Sequence, residues 1–160
     1  MTEIPGPGQP LSIHASAVVF AESGVLIRGE SGAGKSALAL ALIELAVGIG
    51  RFARLVGDDR VQIHAEGGRL VMRGAPNVLG LIERRGVGLA NIAAEPAAVA
   101  HLVVDLLPAG EKLDRLPEAA RETCELAGVR LQRLAFDDAS ALDERARAIM
   151  FTISESSAFA

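Results

Sequence analysis

Short apolar runs broken by glycine-bearing turns organise this chain. Val18 to Phe20 and Val25 to Arg28 flank Ala21-Glu22-Ser23-Gly24, which predicts a hairpin whose second strand runs into a glycine-rich loop. Ser36 to Ala46 is rich in Ala and Leu without Pro or Gly, so it predicts a helix, ended by Gly48-Ile49-Gly50. That helix is apolar nearly all round and is expected to be buried. Arg54 to Val56 reads as a strand finishing at Gly57-Asp58-Asp59, and Val61 to His64 with Arg69 to Met72 flank Glu66-Gly67-Gly68 as a second hairpin. Val99 to Leu107 predicts a buried strand stopped by Pro108, Val129 to Phe136 alternates as another, and Asp143 to Phe151 has the pattern of a short amphipathic helix. The expectation is an α/β fold: a single P-loop domain with a mixed sheet spanning residues 11–160. Residues 1–10, rich in Pro and Gly, read as a flexible N-terminal arm. No repeat or linker divides the chain.

Composition narrows the function. Half of the 160 residues are hydrophobic but only 3% are aromatic, which argues against a base-stacking platform. The formal charge of −4 argues against a binder of phosphate backbones, so no nucleic-acid partner is expected. No apolar run reaches the roughly 18 residues that span a bilayer. The first ten residues lack the basic and apolar regions of a signal peptide. A cytoplasmic protein with no membrane partner is the expectation. Cys124 stands alone, so it reads as a small half-buried apolar side chain rather than part of a disulfide framework or metal cluster.

One motif carries chemistry by itself. Gly29-Glu30-Ser31-Gly32-Ala33-Gly34-Lys35-Ser36 is a complete phosphate-binding loop between a predicted strand and a predicted helix. Glycines at 29, 32 and 34 let the backbone turn its N–H groups towards an anion, and the helix adds the positive end of its dipole. Lys35 suits the β- and γ-phosphates of ATP, and the Ser36 hydroxyl suits Mg²⁺. Such a loop needs a carboxylate at the end of a neighbouring strand, and Asp58-Asp59 supplies two. Adjacent carboxylates can divide the labour, one serving the metal and the other taking a proton from a hydroxyl substrate.

Further stretches extend the picture. Ile13-His14-Ala15-Ser16 places a histidine fifteen residues ahead of Gly29. Leu55-Val56-Gly57-Asp58-Asp59-Arg60-Val61 and Leu81-Ile82-Glu83-Arg84-Arg85-Gly86-Val87-Gly88-Leu89 complete the set. With the loop, they resemble the catalytic domain of the HPr kinase/phosphorylase family, in the same order over residues 13–107. The resemblance implies a sheet like that of HPr kinase and phosphoenolpyruvate carboxykinase, and ATP-dependent phosphorylation of a serine on the phosphocarrier protein HPr of the sugar phosphotransferase system. It also implies a possible homo-oligomer, hexameric in the family. At matched positions it implies His14 near the moving phosphoryl, Asp59 as the base with Asp58 as its partner, Glu83 as a Mg²⁺ ligand opposite Ser36, and Arg85 stabilising charge. Arg84 reads as a solvated charge, and His64 and His101 match nothing.

The chain also departs from the family. Residues 1–160 hold no counterpart of its separate N-terminal domain, and Val47 to Ala53 is a few residues longer than usual. The Pro-rich C-terminal loop ending in a "PGRN"-like sequence, associated with dephosphorylation, is missing. Arg130 and Arg133 are the basic residues open to replacing its arginine, and phosphorylase activity is in doubt. Two rivals keep the same loop: a kinase of small molecules, and an ATP-sensing module that transfers nothing.

Overall fold

The computed structural model describes residues 8–113 and 122–158; residues 1–7 of the expected arm lie outside them. β1 (Leu11–Phe20) and β2 (Ser23–Arg28) form the expected hairpin, pairing Ala15 with Arg28 and Phe20 with Ser23. α1 (Lys35–Gly48) follows the loop, then β3 (Ala53–Gly57), β4 (Arg60–Glu66) and β5 (Arg69–Gly74). β6 (Leu81–Arg84) and β7 (Gly88–Asn91) make a separate two-stranded hairpin. β8 (Ala97–Leu106), β9 (Glu122–Leu126), β10 (Val129–Phe136) and α2 (Leu142–Ala158) complete the chain.

The main layer runs β3-β1-β2-β8-β10-β9. β2, β3, β8 and β10 point one way, with β1 antiparallel between β3 and β2 and β9 antiparallel at the far edge. The sheet is therefore mixed, as expected. All four parallel strands end at one edge, where open α/β sheets hold their ligands. β1 and β8 are each ten residues long, and their first parts pair elsewhere. Leu11–His14 pairs with β4 and Ala97–Ala100 with β5, while β4 pairs with β5. Strands β1, β2, β8, β5 and β4 thus close a ring behind the main layer.

The period-2 alternation of strand side chains sorts the core onto two faces. Val18, Phe20, Val25, Ile27, Leu55, Leu102 and Val104 face α1 and α2. Ala15, Ala17, Leu26, Val56 and Val103 face inward against Val61, Ile63, Leu70 and Met72 of the β4–β5 ribbon. Packing is closest where β3 and β5 cross. A Cβ on Gly74 would lie 2.1 Å from the Val56 carbonyl oxygen, so that position admits only glycine. The crossing braces β3 just before Asp58.

Several elements differ from expectation. β1 begins at Leu11 rather than near Val18, because Ser12, His14 and Ser16 interrupt its apolar run. β6, β7 and β9 are further strands; charged residues conceal β6 and β9, and β7 is only four residues long and opens on glycine. α2 runs on past Phe151 to Ala158. Along its polar end the hydroxyls of Thr152 and Ser156 are satisfied by the carbonyls of Ala148 and Thr152, at 2.9 and 3.0 Å. No helix among the described residues is long and apolar enough to cross a membrane.

Candidate active site

The loop between β2 and α1 has the backbone of an anion cradle. Gly32 and Gly34 sit at φ 82° and 98°, a region costly for any residue with a Cβ. Gly34 caps α1 without a side-chain hydrogen bond, and no acidic residue stands in the first turn. The first N–H groups of the helix are thereby left to a ligand. Glu30 and Ser31 are exposed on the loop, while Ala33 packs against the core. Lys35 is 6% exposed and lies back across the loop, Nζ donating to the carbonyls of Gly29 at 2.9 Å and Glu30 at 2.8 Å. Burial pushes its ammonium below the usual lysine range, partly offset by the charges of Asp59 and Asp58.

The acidic pair forms the turn between β3 and β4 and faces two ways. Asp58 turns inward: Ser36 donates its hydroxyl to the carboxylate at 2.8 and 3.0 Å, and Ser16 of β1 donates to Oδ1 at 2.5 Å. Asp59 turns outward. Its backbone is left-handed at φ 65°, a conformation that Asp tolerates better than most residues. Its carbonyl accepts the Ala15 N–H at 3.2 Å, tying the turn to β1. On that strand His14 brings Nε2 to 2.8 Å from Asp59 Oδ1, with both side chains open to solvent. Among the described residues Ser16 and Lys35 are the buried polar side chains, and both belong to this cluster.

Known proteins resemble this chain. The model of the HPr Serine kinase C-terminal domain matches residues 8–137. The chain belongs to that family. HPr kinase/phosphorylase of Streptococcus thermophilus is 36% identical over 133 residues, covering 77% of this chain and 41% of the relative. Its counterpart in Limosilactobacillus reuteri is 39% identical over 82 residues, 51% of this chain and 24% of the relative. The match therefore covers less than half the length of either curated relative. The structure of the Hpr(Ser) kinase/phosphatase from Coxiella burnetii superposes with a TM-score of 0.75 at 24% identity, covering 92% of this chain and 99% of that one. It shares the fold.

In this member of the family His14 meets Asp59 and Ser36 of the loop meets Asp58, whereas Glu83 and Arg85 bond to none of these residues. Ile82 anchors β6 in the core beside α1, and Arg84 reaches Glu44 of α1 at 2.7 Å. Arg84, expected to be merely solvated, is thus paired. Glu83 and Arg85 are exposed and make no side-chain hydrogen bond or ion pair among the described residues. Arg130 donates to Thr123 at 3.1 Å. The Nε of Arg133 is engaged by Asp105, which also accepts two bonds from Arg28 at 2.7 Å. By alternation Arg28, Asp105 and Arg133 share the face of Leu26, Val103 and Leu131, opposite α1. Sequence reasoning quoted Ser16 without assigning it a role and missed Asp105. The signal for Asp105 was a carboxylate inside an apolar strand; Ser16 offered none.

Proposed function

We propose that this domain transfers the γ-phosphoryl group of ATP to a serine hydroxyl of HPr, acting in the cytoplasm. The names of its relatives support the substrate. The observation that carries the reading is the split of two adjacent carboxylates around one phosphate loop, Asp58 on Ser36 and Asp59 on His14. Loop N–H groups and the start of α1 would hold the phosphates, with Lys35 exchanging its carbonyl partners for phosphate oxygens. The Ser36 hydroxyl and the Asp58 carboxylate are hard oxygen donors that fit Mg²⁺. When bound, that ion neutralises charge on the β- and γ-phosphates. Glu83 as a further ligand and Arg85 beside the moving phosphoryl rest on the resemblance alone. Asp59 takes the serine proton as the serine oxygen bonds to the γ-phosphorus, and the bond to ADP breaks. His14 donates to Asp59 and fixes the direction in which that carboxylate accepts.

The test is transfer of label from γ-labelled ATP to HPr, compared with a panel of small hydroxyl compounds. Label on an HPr serine supports the reading. Label on a small compound instead, or tight ATP binding without transfer, overturns it in favour of a small-molecule kinase or a sensing module. Phosphate-dependent dephosphorylation of serine-phosphorylated HPr is expected to be slower by about two orders of magnitude, roughly 2.7 kcal/mol of barrier. A reverse rate equal to the forward one would show that the missing C-terminal loop has been replaced.

A further inference from the structure

Three charged side chains stand at the root of the phosphate loop, on the face of the layer away from α1. Arg28 is the last residue of β2 and lies beside Asp105 of β8 in the parallel pairing. Its Nε donates to Asp105 Oδ1 and its Nη2 to Oδ2, both at 2.7 Å. Arg133 of β10 donates to the same Oδ2, so the carboxylate ties three adjacent strands. The Arg28 and Asp105 side chains are 30% and 14% exposed. Their neighbours on that face, Leu26, Val103 and Leu131, are apolar. A pair drawn this far from water contributes little net stability compared with apolar side chains of the same size. What it supplies is direction, because a guanidinium and a carboxylate joined by two parallel bonds fix distance and angle together.

That direction is imposed where the backbone ladders stop. β2 pairs with β1 as far as Arg28 opposite Ala15, and with β8 as far as Arg28 opposite Asp105. Gly29 follows at once, and a Cβ there would lie 3.1 Å from the Cβ and carbonyl oxygen of Leu106, the residue after Asp105. Beyond that point the bonds that shape the loop are its own. Lys35 Nζ holds the carbonyls of Gly29 and Glu30, and the Ala33 N–H donates to the Glu30 carbonyl at 3.1 Å. Among the described residues, the Arg28–Asp105 fork is thus the last side-chain tie between β2 and β8 before the loop departs.

We propose that Arg28 and Asp105 are positioning residues for the transfer: their fork sets where the loop leaves the sheet, and hence where its N–H groups point. The proposal rests on the phosphate-loop reading, in which Lys35 turns from the Gly29 and Glu30 carbonyls to phosphate. The loop then loses that internal tie, and the fork holds its root. Calorimetric titration with pyrophosphate and Mg²⁺ tests this on the unaltered chain, Arg28→Lys, Asp105→Asn and Ile63→Val. Arg28→Lys keeps the charge and loses the fork, so its affinity should fall about tenfold while the urea midpoint hardly moves. Asp105→Asn should weaken binding at least as much, and the double variant no more than the worse single one. Ile63→Val, wholly buried on β4 away from the loop, should lower the urea midpoint and leave affinity within about twofold. Should Asp105→Asn fail to fold, Arg28→Lys carries the test alone. Unchanged affinity in Arg28→Lys overturns the proposal, as does affinity that follows the urea midpoint across all the variants. No binding of pyrophosphate by the unaltered chain overturns the loop reading itself, and the fork's role with it.

Discussion

Replacing Ser16 with alanine would remove one hydroxyl from the centre of the site and little else. Ser16 is wholly buried on β1 between Ala15 and Ala17, which are equally buried, so alanine suits the strand's surroundings. What disappears is its donation to Asp58 Oδ1 at 2.5 Å. A hydrogen bond to a charged group contributes about 1.5–3 kcal/mol. Asp58 keeps the Ser36 hydroxyl, at 2.8 and 3.0 Å, so its carboxylate is not left without a partner and the lower figure applies. The expected loss in unfolding free energy is about 1.5 kcal/mol, or about 0.75 M in the urea midpoint for an m-value of about 2 kcal/mol/M. Were the same energy lost from the transition state, turnover would fall about tenfold. ADP affinity without metal should not change, because Ser16 acts only through Asp58. Ser16→Thr, which keeps a hydroxyl, should recover part of both losses. Unchanged turnover with a stability loss below about 0.5 kcal/mol would refute the argument, since a bond to a charged group would then have contributed almost nothing.

Other outcomes follow from the same geometry. Lys35→Ala should abolish transfer while far-UV circular dichroism stays native, and near-normal turnover would sink the phosphate-loop reading. Glu83→Gln should raise the Mg²⁺ requirement well above the change for Arg84→Gln, measured by metal titration of the rate. Arg84→Gln should instead cost about 0.5 kcal/mol of stability through its exposed pair with Glu44; equal small rate effects from both changes would return Glu83 to a solvated role. Burial alone would raise the Asp105 carboxyl pKa, but the bonds and charges of Arg28 and Arg133 outweigh it and hold the group below the usual range. A depressed carboxylate pKa stabilises the fold above the unfolded value of about 3.9, and the contribution disappears as pH falls through the folded value. Asp105→Asn should therefore cost roughly 3 kcal/mol at neutral pH, with the gap closing below about pH 4 in denaturation series. A gap that stays constant into acid would refute that account.

What the sequence made legible was local. Lys35 and Ser36 follow three glycines and open a helix of Ala and Leu, and Asp58-Asp59 end an apolar run, so loop, helix and acidic turn were readable from neighbouring residues. Long-range pairing was not. Nothing near Leu11 announces that it will face Ile63, nor does Ala98 announce Met72. The β6–β7 hairpin was hidden because Glu83-Arg84-Arg85 reads as a charged surface, although Ile82 goes wholly into the core. Ser16 was invisible for another reason. A single hydroxyl in a strand carries no spacing, and only the fold gives it a partner 42 positions away.

The closed ring of strands bears on the order in which the protein can be built. β1 is made first, yet its edges are not covered until β2, β3 and β4 have all been synthesised. β2, which carries the phosphate loop, must wait for β8, more than seventy residues later, for its second neighbour. Contacts of such wide separation close slowly because the chain entropy is lost before the pairing is gained. Nucleotide affinity should therefore emerge late in refolding, after the helices have formed. Added nucleotide would then act on the finished ring and slow its opening rather than hasten its assembly.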